Sequence, residues 1–148
     1  MLSALSLGAT LYMPATRPDL WQVVNGEKYP ELRSLVICLE DAVSEHEVEA
    51  AKVNLKHLLQ QVQDQPRQAQ HPKIFIRPRH IAMAEELAQW QELIAVDGMV
   101  LPKFCLNQLR EWQQILPDFI QVMPTLEDAE AFDMGAMREL RQALQQDF

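Results

Sequence analysis

Six charged side chains stand where apolar runs end. Arg17 follows "ATLYMP", Glu40 and Asp41 follow "SLVICL", Arg77 follows "KIFI", Lys103 follows "GMVL", and Glu127 lies just beyond "FIQVM". Arg79 adds a second guanidinium beside Arg77. The amino-terminal ends of the same runs carry fewer charges, with Lys73, Asp97 and Asp118 the nearest. In parallel α/β folds the carboxyl ends of the strands share the ligand-binding side of the sheet. A mixed array of acids and bases is therefore expected to converge there. Arginine forks match carboxylates or phosphates bidentately, and carboxylates among them suit a hard, oxygen-ligated cation such as Mg²⁺. The pattern predicts an enzyme-like site for an anionic substrate and leaves the reaction open.

Other chemistry-bearing residues fit quieter roles. His46 and His57 fall off the apolar stripe of their helix, His71 lies in a loop, and His80 reads as a helix start. No His/Cys spacing resembles a zinc site, and the four glycines build no phosphate loop. Cys105 reads as a packing residue, and Trp21, Trp90 and Trp112 as helix–sheet packing.

The elements that must position the charges alternate strand and helix. Strand-like runs at 9–14, 34–39, 73–76, 98–101 and 119–123 are continuously apolar, as strands covered on both faces require. After the first run, Thr16 is the expected N-cap and Gly26 the stop of a short helix. "SEHE" reads as a capping box, Ser44 with Glu47, opening a helix whose stripe is Val48, Ala51, Leu55, Leu58, Leu59 and Val62. "DQPRQAQHP" (64–72) is a connection, and a helix is predicted over 81–94. Asn107 is expected to cap a helix that Pro117 ends, and Thr125 and Asp128 to start a last helical region. Five such units predict an α/β protein with a parallel sheet. A flavodoxin-like receiver module would want acids after strand one and a lysine after strand five, where this chain has Arg17 and Glu127.

The 148 residues form a single domain by length, and a formal charge of −8 argues against a nucleic-acid partner. Cys38 and Cys105 make no disulfide framework and are read as reduced thiols. The N-terminus lacks a basic n-region, so it is read as lead-in plus first strand, and no apolar stretch approaches a membrane span. A cytoplasmic protein without membrane or nucleic-acid partners is expected.

The ordered motifs "YMPATRPDL", "LEDAV", "IRP", "DGMVLPKF" and "VMPTLEDAEAFD" resemble the citrate lyase β-subunit-like carbon–carbon lyases, the HpcH/HpaI aldolase family, from about residue 8 to 133. The resemblance implies a TIM-type (β/α)₈ barrel, a Mg²⁺ cofactor, and cleavage or formation of a C–C bond. Its implied substrates are 3-hydroxy acid thioesters of CoA or acyl-carrier protein, or 2-keto acids. Residue by residue, Glu127 matches the metal-binding Glu, and Arg77 the Arg that holds a carboxylate or thioester oxygen. Arg17 matches the first-strand Arg, Lys103 joins these two as substrate-binding, and Glu40 and Asp41 match the acidic pair, expected to act with Arg77 in catalysis. The family's Asp before "LED" is Cys38 here, its Asn after the third-strand Arg is Pro78, and its Glu after "LPK" is missing at Cys105. Those departures keep open a catalytically altered or inactive lyase-like binding protein. A barrel of eight units needs roughly 250 residues, so residues 1–148 are read as a partial barrel of five units, completed by further chain or by a partner. Its open edges and uncovered inner face predict self-association.

Overall fold

The computed structural model describes residues 3–65 and 71–147. Five strands, β1 (Leu11–Pro14), β2 (Ser34–Cys38), β3 (Lys73–Arg77), β4 (Gly98–Leu101) and β5 (Gln121–Pro124), form one sheet. Their order is β1-β2-β3-β4-β5 and every pairing is parallel. The sequential order is that of a barrel wall, and a doubly wound sheet would reverse at a switch point. The sheet is not closed: β1 and β5 are its two edges.

The helices are α1 (Leu20–Val24), α2 (Val48–Asp64), α3 (Ile81–Ala88), α4 (Leu109–Ile115) and α5 (Met134–Asp147). All five send buried side chains into one core, among them Val23, Leu55, Leu87, Trp112 and Leu140. That core takes alternate strand residues: Met13, Leu35, Ile37, Ile74, Ile76, Met99 and Leu101. Period-two alternation sends their neighbours to the opposite face. There Val36, Phe75 and Val100 form a second buried cluster. So the α-helices all lie on one side, as a barrel wall demands.

The inner face is not bare, contrary to the sequence expectation. A 3₁₀ turn at Ala4–Leu7 folds under it, and Leu7 and Met123 pack on Val36, Phe75 and Val100. Ser34 fastens this plug, its hydroxyl donating to the Leu7 carbonyl at 2.8 Å and lying 2.7 Å from Thr10 Oγ1.

The α2 stripe is buried as its spacing predicts: Val48, Ala51, Leu55, Leu58, Leu59 and Val62. Gly26 follows α1 with φ 74, a left-handed geometry that glycine adopts without strain, and its N–H donates to the Val23 carbonyl. Helix starts are less faithful. Asp19, not Thr16, occupies the N-cap of α1, because residues 15–19 are spent on turns leaving β1. Ser44 donates to the Glu47 carboxylate and caps a 3₁₀ turn, Glu45–Glu47, that leads into α2. Asn107 lies inside a 3₁₀ turn, and its side-chain oxygen accepts from Cys105. The helix predicted over 81–94 stops at Ala88. Trp90 is extended there, with Lys56 5.2 Å from its ring centre, and a 3₁₀ turn then buries Leu93 and Ala95. Most of the 64–72 connection (66–70) lies outside the described residues.

Candidate active site

Glu40 is placed by the end of β2. The Leu39 N–H donates to the Arg77 carbonyl at 2.9 Å, which extends the β2–β3 ladder by one step. The chain then turns, with the Val43 N–H on the Glu40 carbonyl at 3.0 Å. This leaves the Glu40 side chain only 4% exposed. A buried carboxylate requires a cation, and Arg77, the last residue of β3, supplies it.

Arg77 Nη2 forms the closest contact of the cluster with Glu40 Oε2. The same nitrogen lies 3.2 Å from Glu127 Oε1 and 3.6 Å from Asp41 Oδ2. Lys103 Nζ reaches Glu40 Oε1 at 3.6 Å. The Lys103 backbone N–H donates to Glu127 Oε1 at 3.1 Å. Lys103 holds φ 48, a left-handed backbone that costs a non-glycine residue about 1–3 kcal/mol and collects at functional sites.

Five of the six predicted residues therefore meet: Glu40, Asp41, Arg77, Lys103 and Glu127. Burial pushes the Glu40 carboxyl above its ordinary value; Arg77 and Lys103 oppose this while Asp41 and Glu127 add to it. Neither Glu40 oxygen has a well-directed hydrogen bond despite the ion pairing.

Arg17 does not join them. Its guanidinium forks onto Asp19, Nε to Oδ1 and Nη2 to Oδ2, both at 2.8 Å, and Lys28 shares that carboxylate. The cause lies in the backbone: Asn54 of α2 donates to the Ala15 and Arg17 carbonyls, fixing the turn on the helical side.

One neighbour, Tyr12, went unread in the sequence. Tyr12 of β1 pairs in register with Val36, on the inward row with Phe75. Burial raises its phenol and Arg77 opposes the rise. Strand alternation across "LYMP" was the available signal. Arg79 donates to the Val43 carbonyl and to Glu45, contacts that spacing cannot reveal. His80 caps α3, its Nδ1 accepting from the Met83 N–H at 3.1 Å. Cys105 is raised by burial, and the nearby Glu130 and Asp128 carboxylates add to this, which favours the thiol over a nucleophilic thiolate. At the opposite strand ends Lys73 and Asp97 simply pair, at 3.0 Å.

Among the described residues no three His, Cys, Asp or Glu side chains converge to hold a metal. Mg²⁺ usually takes one or two carboxylates and completes its shell with waters and substrate oxygens. Glu127, 38% exposed, offers one such carboxylate, while the Glu40 oxygens are buried against Arg77 and Lys103. A cavity of ≈ 450 Å³ between Phe104–Asn107 and the start of α5 is lined by none of the clustered charges. The chemistry, not the concavity, marks the site.

A family model described as C–C bond lyase of the TIM-barrel fold matches residues 1–147. Among solved structures, a citrate lyase β subunit complexed with oxaloacetate and magnesium from M. tuberculosis is similar, with a TM-score of 0.53 and 20% identity. The match covers 81% of this chain and 47% of that one, so the chain spans less than half the length of that structure. At such identity the likeness speaks for the fold alone. No curated protein matches. No helix among the described residues is long and apolar enough to cross a membrane. With the sheet order and the family match together, the chain belongs to the C–C bond lyases of the TIM-barrel fold.

Proposed function

We propose that residues 1–148 form a single, five-unit part of a Mg²⁺-dependent C–C lyase barrel. Its substrate is a 3-hydroxy acid thioester of CoA or an acyl carrier, or a 2-keto acid. The observation that carries this reading is Arg77, nearly buried at the carboxyl end of β3, with Glu40, Glu127 and Lys103 around it.

Cleavage removes the substrate's hydroxyl proton, breaks the C–C bond, and moves its electron pair onto the neighbouring carbonyl oxygen as an enolate. Arg77 and Lys103 supply the positive charge that stabilises that oxyanion, in a site where Glu40 already holds the guanidinium in place. In this reading Asp41 takes up the proton, and its 72% exposure supports that role. Glu127 would be the metal's protein ligand, and the bound ion would act as a Lewis acid on the substrate's oxygens. Arg17, in this arrangement, serves the substrate only after leaving Asp19.

That last point favours a second reading: a lyase-like protein that binds the anion without turning it over. Both are tested by incubating protein that contains the closed barrel with 3-hydroxyacyl-CoA thioesters and 2-keto acids, with and without Mg²⁺. Carbonyl products that fall roughly a hundredfold or more in Arg77→Met support the lyase. Arg77-dependent binding of oxaloacetate with no products supports the binding protein. Neither binding nor cleavage overturns both.

The free thiols Cys38 and Cys105 support a reducing, cytoplasmic setting. The unpaired edges of β1 and β5 support self-association. A monodisperse 17.1 kDa species in light scattering would argue against it.

A further inference from the structure

The acidic turn between β2 and α2 is held by a residue that the chemistry above does not use. Arg79, two residues past Arg77, reaches back across it. Its Nη2 donates to the Val43 carbonyl at 2.6 Å and lies 3.5 Å from the Glu40 carbonyl. Its Nη1 donates to Glu45 Oε2 at 3.0 Å. One planar fork thus grips the beginning, the end and the far flank of the Glu40–Val43 turn. Val43 is 4% exposed, so its carbonyl has little recourse to water. An unpaired buried carbonyl is costly.

The other anchor of this turn also comes from the end of β3, through the Leu39 N–H on the Arg77 carbonyl. The residue that carries the substrate-facing guanidinium and the residue that grips the acidic turn are therefore separated only by Pro78, which is buried. Any slack in the turn would be felt at the contact of Glu40 with Arg77.

We propose that Arg79 is a positioning residue: its guanidinium fixes the Glu40–Val43 turn so that the Glu40 carboxylate is delivered to Arg77. A lysine cannot replace it, because an ammonium is a compact point charge without the planar fork that meets two carbonyls and a carboxylate together. The inference deepens the lyase reading, on which its catalytic consequence rests. Its test reads the Arg77 pair itself and needs no substrate.

The experiment is guanidinium NMR on ¹⁵N-labelled protein, measuring rotation about the Nε–Cζ bond of individual arginines. In wild type Arg77 should rotate slowly. In Arg79→Met and Arg79→Lys its rotation should quicken by about tenfold or more, the factor that one charge-assisted hydrogen bond carries. Arg17, locked on Asp19, should be unchanged in both and serves as the internal control. If either variant fails to fold, Glu45→Ala removes only the exposed contact and should give a smaller change of the same sign. Unchanged Arg77 rotation in the folded variants would overturn the proposal, as would free rotation in wild type. The coupling found in a protein that neither binds nor cleaves the probes above would leave this inference standing and sink the lyase reading alone.

Discussion

Replacing Arg77 by Met keeps much of the side chain's bulk and strips Glu40 of its nearest cation. Breaking a buried pair from one side typically costs about 3–5 kcal/mol, because the other charge is left stranded. Glu40 has an escape: it can take up a proton. Protonation costs about 1.4 kcal/mol for each pH step above the ordinary carboxyl value of 4.5, so the loss is capped at roughly 3.4 kcal/mol at pH 7. At pH 5.5 the cap falls to roughly 1.4 kcal/mol by the same arithmetic. Lys103, 3.6 Å from Glu40 Oε1, remains and keeps both values somewhat below their caps. The sign follows from linkage. With Arg77 gone, folded Glu40 binds a proton at pH values where the unfolded chain does not, so stability falls as pH rises through this range. Urea unfolding followed by tryptophan fluorescence, with Trp112 fully buried as reporter, measures it at both pH values. A loss of about 1–3 kcal/mol at pH 7, short of the cap because burial already raises the wild-type Glu40 carboxyl, that shrinks by about half or more at pH 5.5 is expected. An equal loss at both, or none at pH 7, would refute the reasoning that Glu40 is stranded.

Three further outcomes follow from other parts of the structure. Glu127→Gln removes a charge without changing shape and should weaken Mg²⁺ binding in titration calorimetry; equal affinity would remove Glu127 from the metal. Asp19 is held well below the usual carboxylate range by hydrogen bonds from Arg17 and Lys28, so its stabilisation is complete above its ordinary value of 3.8 and lost only on stronger acidification. The stability gap between wild type and Asp19→Asn should therefore narrow below that pH, and a gap that widens would contradict the pairing. Gly98→Ala would place a methyl 2.3 Å from Phe75 Cε1 and 2.6 Å from the Gln121 carbonyl, which should cost about 1–3 kcal/mol or more in urea unfolding; a neutral effect would show that β4 and β5 can part there.

The sequence by itself determined the strand order's raw material and most of the site. Short continuous apolar runs such as "SLVICL" and "GMVL", too short for helices and carrying β-branched residues, read as strands covered on both faces, and the α2 stripe needed no more than a 3.6-residue period. Charges placed after those runs reach one face because parallel strands all end on the same side. Local chemistry went astray where competing partners were close. Asp19 holds Arg17 instead of leaving it for the site, and α3 ends at Ala88, with Trp90 extended and its ring beside Lys56. Tertiary structure alone decided which charges pair. Glu40 is buried and Asp41 exposed although they are adjacent, because the turn pinned by Arg77 and Arg79 sets one side chain against the Arg77 guanidinium and leaves the other to solvent. It also decided that part of the inner face is covered, since no period in residues 4–7 signals that Leu7 will lie against Val36, Phe75 and Val100. Such contacts join residues dozens of positions apart, and spacing carries no information about them.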